Sequence, residues 1–160
     1  MTYKKKSWVE KMADKKNMPK ILKLQKDFPC YGPVAKMGAK AGDNVVLVNP
    51  KEVEKIMMKV PRGKLTTIHE ICKKLAKNYK VQGCCTLTTG IFIMTAANAA
   101  KETGNKNPYW RTLKADGFLN EKYPGGQETH KKLLEKEGYK IIKRGKKYQV
   151  ANFDKYLIKS

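Results

Sequence analysis

Val60-Pro-Arg-Gly-Lys-Leu-Thr-Thr-Ile-His-Glu-Ile-Cys-Lys-Lys-Leu75 decides how this chain is read. Pro61 closes whatever helix precedes it, because it cannot continue one. Arg62-Gly63-Lys64 reads as a turn. Thr67 and Glu70 stand at capping-box spacing, so a helix starts there. Its apolar face is Ile68, Ile71, Cys72 and Leu75. Asn78 to Gln82 is a basic turn, and Thr88 or Thr89 opens a second helix that runs to about Thr103. Gly104 ends it. Two short helices joined by a turn fit helix-turn-helix geometry. The second helix is poor in charge and rich in small residues (Thr95, Ala96, Ala97, Asn98, Ala99, Ala100). A face of small residues lets another backbone approach closely. That backbone is either DNA or, in the default reading of an Ala-rich segment, the protein's own core.

Outward from this pair, Asn44 to Asn49 is a short strand bounded by Gly42 and Pro50. Asn49, Pro50 and Glu52 then make a helix start: a capping side chain, proline in the first turn and an acid at the positive end. Val53, Ile56, Met57 and Val60 recur at helical spacing. Toward the C-terminus, Ala115-Asp116-Gly117 predicts the turn of a wing-like hairpin. Pro124-Gly125-Gly126 is a sharp loop. Gln127 to Glu137 is amphipathic, with Leu133 and Leu134 inward. A second hairpin turns at Arg144-Gly145-Lys146. Residues 1–43 mix Lys with scattered apolar residues; Lys11 to Lys26 can form helical pieces, interrupted by Pro19. They read as an irregular basic arm packed down at Trp8, Phe28 and Tyr31. The expected architecture is α/β: a small winged-helix domain with a helix-turn-helix and short β-hairpins over 44–160, preceded by a basic N-terminal arm over 1–43.

The charge narrows the partners. Thirty-five Lys and Arg face 14 Asp and Glu in 160 residues, a formal net charge of +21. Such an excess favours a polyanion, first of all nucleic acid. Only Arg62, Arg111 and Arg144 are Arg, so the cations are mostly point charges rather than the forked donors that read base edges. A merely solvated Lys-rich surface is the plainer alternative. No apolar run approaches the ~20 residues of a membrane span, and the N-terminus does not read as a secretory signal. Cys30, Cys72, Cys84 and Cys85 show neither metal-ligand nor disulfide spacing, as expected of free thiols in a cytoplasm. No metal and no cofactor are expected.

Val60 to Thr67 resembles the segment that opens the DNA-binding domain of the O6-alkylguanine-DNA alkyltransferases, the methylated-DNA–protein-cysteine methyltransferases. Pro108-Tyr-Trp-Arg111 sits where that family has Pro-Cys-His-Arg. Asp116-Gly117, Tyr123-Pro-Gly-Gly126, Leu133-Leu134 and Glu137-Gly138 follow in the family's order and spacing. The resemblance covers roughly residues 44–140. In the family, a Cys thiolate takes the alkyl group, a His acts as base and a Glu orients the His, the usual logic of an activated nucleophile. Here the first two positions are Tyr109 and Trp110, and only Glu137 remains. A phenol with a pKa near 10 is a poor nucleophile at neutral pH, and an indole nitrogen only donates. The resemblance therefore implies an alkyltransferase-like protein, which binds an altered base and transfers nothing. In that role Tyr109 stacks on the base or donates its hydroxyl to it. In the plainer reading, Tyr109 and Trp110 only fill the vacated pocket, and Glu137 caps or pairs inside the fold.

Ile68 replaces the Tyr that follows the family's Thr pair. The family's spacing puts Phe92 where an Arg enters the base stack. Phe92 is then either an apolar wedge or core. An insertion over about Lys77 to Leu87 holds Cys84 and Cys85. Expected DNA contacts are Lys64, Thr66, Thr67, Thr88, Thr89, Phe92 and Thr95, with the second helix's N-terminus on phosphate. The expected base pocket is Tyr109, Trp110, Arg111, Tyr123 and Glu137. The expected partner is double-stranded DNA carrying alkylated or unusual bases, bound by a monomer that also meets a repair protein and no membrane. Two other classes stay open: an alkyl-accepting methyltransferase that uses a displaced Cys, and a winged-helix protein-interaction module.

Overall fold

The computed structural model describes residues 7–13 and 18–158. In chain order, α1 (Trp8–Ala13), β1 (Lys20–Lys23), α2 (Tyr31–Lys36), β2 (Asn44–Leu47) and α3 (Pro50–Met58) lead to β3 (Thr66–Thr67) and α4 (Ile68–Asn78). Then come β4 (Gly83–Cys84), α5 (Thr86–Thr103), a 3-10 turn over Tyr109–Arg111, β5 (Thr112–Leu113), α6 (Gly126–Lys136), β6 (Ile141–Arg144) and β7 (Lys147–Val150).

Local chemistry sets the helix ends. Asn49 accepts from the Glu52 backbone N–H, and Glu52 reaches back to the Asn49 N–H, a complete capping box ahead of α3. Thr67 Oγ1 accepts from the Glu70 N–H at 3.3 Å, which starts α4. Helix α5 begins at Thr86, two or three residues before the expected start at Thr88 or Thr89. Its N-cap is Cys85, which makes no side-chain cap bond. It ends as expected at Gly104, whose φ of +69° suits a residue without Cβ.

The largest core cluster surrounds α5. Phe92, Ile93, Ala96, Ala97, Ala99 and Ala100 meet Val53 and Met57 of α3, Ile71, Cys72 and Leu75 of α4, and Met12 of α1. The Ala-rich stretch thus serves the protein's own core. A second cluster, Leu24, Cys30, Val34, Ala39, Val45 and Cys85, holds the N-terminal segment down, with Phe28 and Tyr31 against it; Trp8 packs on the α5 cluster. These are the three expected packing points. A third cluster, built on Leu65, Leu113, Leu119, Leu134 and Tyr139, joins α6 to the C-terminal hairpin.

Three local expectations change. Lys20–Lys23 is a strand, paired antiparallel with β2 in a sheet ordered β1-β2-β4, and Tyr31–Lys36 is a helix, where an irregular path was expected. The connection between α4 and α5 contains β4, which pairs parallel with β2, so the two helices are not joined by a tight turn. The turn at 115–117 exists, closed by Gly117 N–H to Lys114 O and Lys114 N–H to Phe118 O, but its flanks do not continue as a two-stranded ladder. Thr112–Leu113 pairs parallel with Thr66–Thr67, and Phe118 bridges to Gln149. Phe153 covers Gly117 so closely that a Cβ there would lie 2.4 Å from its ring. The hairpin expected at Arg144-Gly145-Lys146 forms as β6–β7.

Candidate nucleic-acid interface

Buried apolar surface positions Tyr109 inside the fold. It is 8% exposed, and its ring meets Trp110 and Tyr123 edge-on, each at 5.4 Å between centroids. Such edge contacts are favourable beyond the area they bury. Tyr123 is buried and donates its hydroxyl to Thr112 O at 2.8 Å. Burial pushes both phenols above their ordinary pKa. Tyr109 is thus packed among aromatic neighbours, while Trp110 beside it is half-buried.

Arg111 and Glu137 form a closed ion pair. Nε donates to Oε1 at 3.0 Å, Nη2 to Oε2 at 2.6 Å, and Nη1 to Val60 O at 2.8 Å. Burial alone would raise the Glu137 carboxyl, but the bond and charge of Arg111 hold it below the ordinary carboxylate value. Glu137 is thus committed to pairing, the plainer of the two roles its sequence position allowed.

His130 has a place that its sequence position did not reveal. It is 1% exposed in α6. Its Nδ1 accepts from the Asn120 N–H at 3.1 Å, and its Nε2 lies 2.8 Å from Trp110 O, so Nε2 carries the proton. Burial lowers its pKa to about 4. The neutral ring ties the Tyr109–Arg111 turn to the loop that follows β5.

That loop forms one wall of a cleft of about 340 Å³. Leu113, Lys114 and Ala115 with Asn120, Glu121 and Lys122 face Ile68 of α4 and Leu87, Gly90, Ile91 and Met94 of α5. Leu87 and Ile91 are one helical turn apart and are 53% and 47% exposed. Lys114 and Glu121 pair across the rim at 3.3 Å. The expected pocket residues Tyr109, Trp110, Arg111, Tyr123 and Glu137 do not line this cleft; it lies beside them.

The expected DNA contacts divide. Lys64 is exposed and Thr88 half-buried, its hydroxyl 3.3 Å from Cys85 Sγ. Thr66, Thr67, Thr89 and Thr95 are 4% exposed or less. Their neighbours account for three of the hydroxyls: Thr67 caps α4, Thr89 faces Cys84 Sγ at 3.4 Å, and Thr95 donates to Ile91 O at 2.8 Å. Phe92 is 3% exposed and belongs to the core. This structure does not present it to a duplex as a wedge. The apolar side chains that α5 does present are Leu87 and Ile91. Their signal in the sequence was a helix apolar on more sides than one core can cover.

No model of a known protein family matches this chain, and no curated protein matches it. Two solved structures do. One is S. pombe Atl1 in complex with damaged DNA containing O6-carboxymethylguanine, at 20% identity and a TM-score of 0.52. The other is S. pombe ATL in complex with DNA, at 19% identity and a TM-score of 0.53. Each match covers 69% of this chain and 94% of the other. At such low identity the likeness is one of architecture: this chain has the fold of the alkyltransferase-like protein Atl1.

Proposed function

We propose that this protein is a non-enzymatic DNA-binding protein that recognises alkylated or otherwise altered bases. The observation that carries the reading is the cleft between α5 and the 113–122 loop. It opens beside two exposed apolar side chains of α5, in a chain whose fold is similar to those of Atl1 and ATL, both solved with DNA. An altered base lifted out of the stack fits a site with apolar walls and a few polar groups. Ile68, Gly90, Ile91 and Met94 supply the first; Asn120 and the Lys114–Glu121 pair supply the second.

Ile91, with Leu87 beside it, takes the wedge role that spacing had given to Phe92. An apolar side chain entering a base step unstacks it at a cost of a few kcal/mol, least where the base is already altered. Lys64 and Lys122 serve the phosphates, and Thr88 near the head of α5 adds a hydroxyl. Tyr109 acts as packing under the cleft.

The burial of every candidate nucleophile supports the absence of transfer chemistry. All four cysteines are buried, and none lines the cleft. Burial pushes the Cys30 thiol up to about 12, and contact with Cys84 and burial raise Cys72. Cys84 is lowered by its hydrogen bonds from Cys72 and Thr89, yet it is 0% exposed. That leaves the displaced-Cys alternative without an accessible thiol. No helix among the described residues is long and apolar enough to cross a membrane. In this reading the protein works as a monomer in the cytoplasm and passes the marked site to a repair protein.

The test is the affinity for matched duplexes that carry guanine or O6-methylguanine at one position, measured across a salt series. The reading expects tighter binding to the modified duplex, with both affinities falling steeply between about 50 and 200 mM salt. Equal affinity for the two duplexes would defeat it.

A further inference from the structure

We propose that the groove between α3 and α4 is a docking site for an acidic, amphipathic helical segment of a partner protein. Two contiguous clefts, of about 260 and 130 Å³, share Ile56, Lys59 and Lys74. Neither shares a lining residue with the cleft beside α5. The inference is therefore independent of the base-recognition reading.

The floor of the groove takes its exposed apolar surface from Ile56 and Ile158, over the buried Val60 and Leu75. Ile56, Leu75, Val60 and Ile158 line it, and Ile158 stays 38% exposed. The rim is cationic. Lys55 lies in the last turn of α3 and Lys59 caps its C-terminal end, and Lys74 faces them from α4. All three are exposed, and among the described residues no carboxylate pairs with them.

The carboxylates in the groove are already engaged. Glu52 caps its own helix and accepts the Tyr79 hydroxyl, and burial together with that contact pushes Tyr79 up to about 12. Glu70 pairs with Lys73 at 3.6 Å. The groove therefore presents an unbalanced positive rim over an apolar floor. A DNA backbone would use the lysines and leave the floor unused. A helix with an apolar stripe and acidic flanks uses both, the recurring helix-in-groove mode.

The probe is a fluorescein-labelled peptide of about 18 residues, with Leu at i, i+4, i+7 and i+11 and mostly Glu elsewhere. Its binding to the full chain is read by anisotropy. The control is a scramble of the same composition that breaks the stripe. We expect saturable binding that the scramble lacks. Combining Lys55→Glu, Lys59→Glu and Lys74→Glu should weaken it at least tenfold, whereas Lys132→Glu, Lys136→Glu and Lys140→Glu together should change it less than threefold. The Gln versions of the first three keep the test valid if charge reversal prevents folding, with at least threefold weakening expected. Equal binding of the scramble, equal loss in both triples, or no saturable binding would overturn the proposal. So would displacement of the peptide by unmodified duplex, together with a larger loss of duplex affinity in the groove triple than in the control; the face would then belong to nucleic acid. None of these outcomes bears on the preference for O6-methylguanine, which is read at the other cleft.

Discussion

Arg111 grips both carboxylate oxygens of Glu137, at 3.0 and 2.6 Å, and spends its remaining nitrogen on Val60 O at 2.8 Å. One guanidinium thus joins the turn after α5, the end of α6 and the segment that leads into β3. Glu137 thereby acts as a structural clamp between these segments. The two side chains are 13% and 9% exposed. Glu137→Ala should cost about 2 kcal/mol, somewhat below the cost of stranding a fully buried charge. Urea denaturation measures it. No loss of stability would mean that the pair holds nothing together.

His130 predicts a pH dependence of stability. Its folded pKa of about 4 lies below the ordinary value of 6.5 because burial disfavours the charged ring. As pH falls from about 6.5, the unfolded chain takes up a proton that the folded chain refuses, so stability falls. The loss is complete near pH 4 and amounts to about 3 kcal/mol. A His130→Gln variant, less stable at pH 7, should have a flatter profile across that window. An unchanged slope would remove His130 as its source.

Adjacent residues on α5 should respond in opposite ways. Phe92→Ala empties a core site and should cost about 3 kcal/mol or more in stability. Ile91→Ala removes an exposed side chain and should leave the melting temperature within a few degrees. It should also weaken binding to the modified duplex about tenfold. If Phe92→Ala weakened duplex binding with no loss of melting temperature, the wedge would return to Phe92.

Incubation with a duplex containing O6-methylguanine, followed by intact-mass spectrometry, should show no added methyl group. All four thiols are buried, and burial raises the Tyr109 phenol, so none of these five groups is an accessible nucleophile. A methylated species mapping to any cysteine would revive the enzyme reading.

The features legible in the sequence were those that local chemistry decides. Asn49, Pro50 and Glu52 make a capping box out of four consecutive residues. Gly104 stops α5 through its own φ, and Leu134 is buried by the period of α6. What escaped depends on distant partners. Lys20–Lys23 shows no alternation because both of its faces are exposed; pairing with β2 makes it a strand. Thr112–Leu113 finds its partner in Thr66–Thr67, across 46 residues of chain. Phe92 and Ile91 differ by one residue, yet that step turns a side chain by ~100° about the helix, from core to surface. Family spacing across an insertion cannot fix so small a rotation. The edge-on contacts of Tyr109 with Trp110 and Tyr123 bring together residues up to 14 positions apart, and no spacing encodes that.

If the cleft beside α5 takes the altered base, filling it with Gly90→Leu should abolish the discrimination between duplexes. A Cβ at Gly90 would already lie 3.3 Å from Ile68 Cδ1, so a leucine there fills the cleft. The measurement is the ratio of affinities for O6-methylguanine and guanine duplexes, in the original chain and in the variant. The account predicts a preference of about tenfold or more in the original chain, roughly 1.4 kcal/mol. The variant should lose that preference while its affinity for the guanine duplex changes less than about threefold. A preference that survives the filled cleft, or one absent from the original chain, would contradict the account.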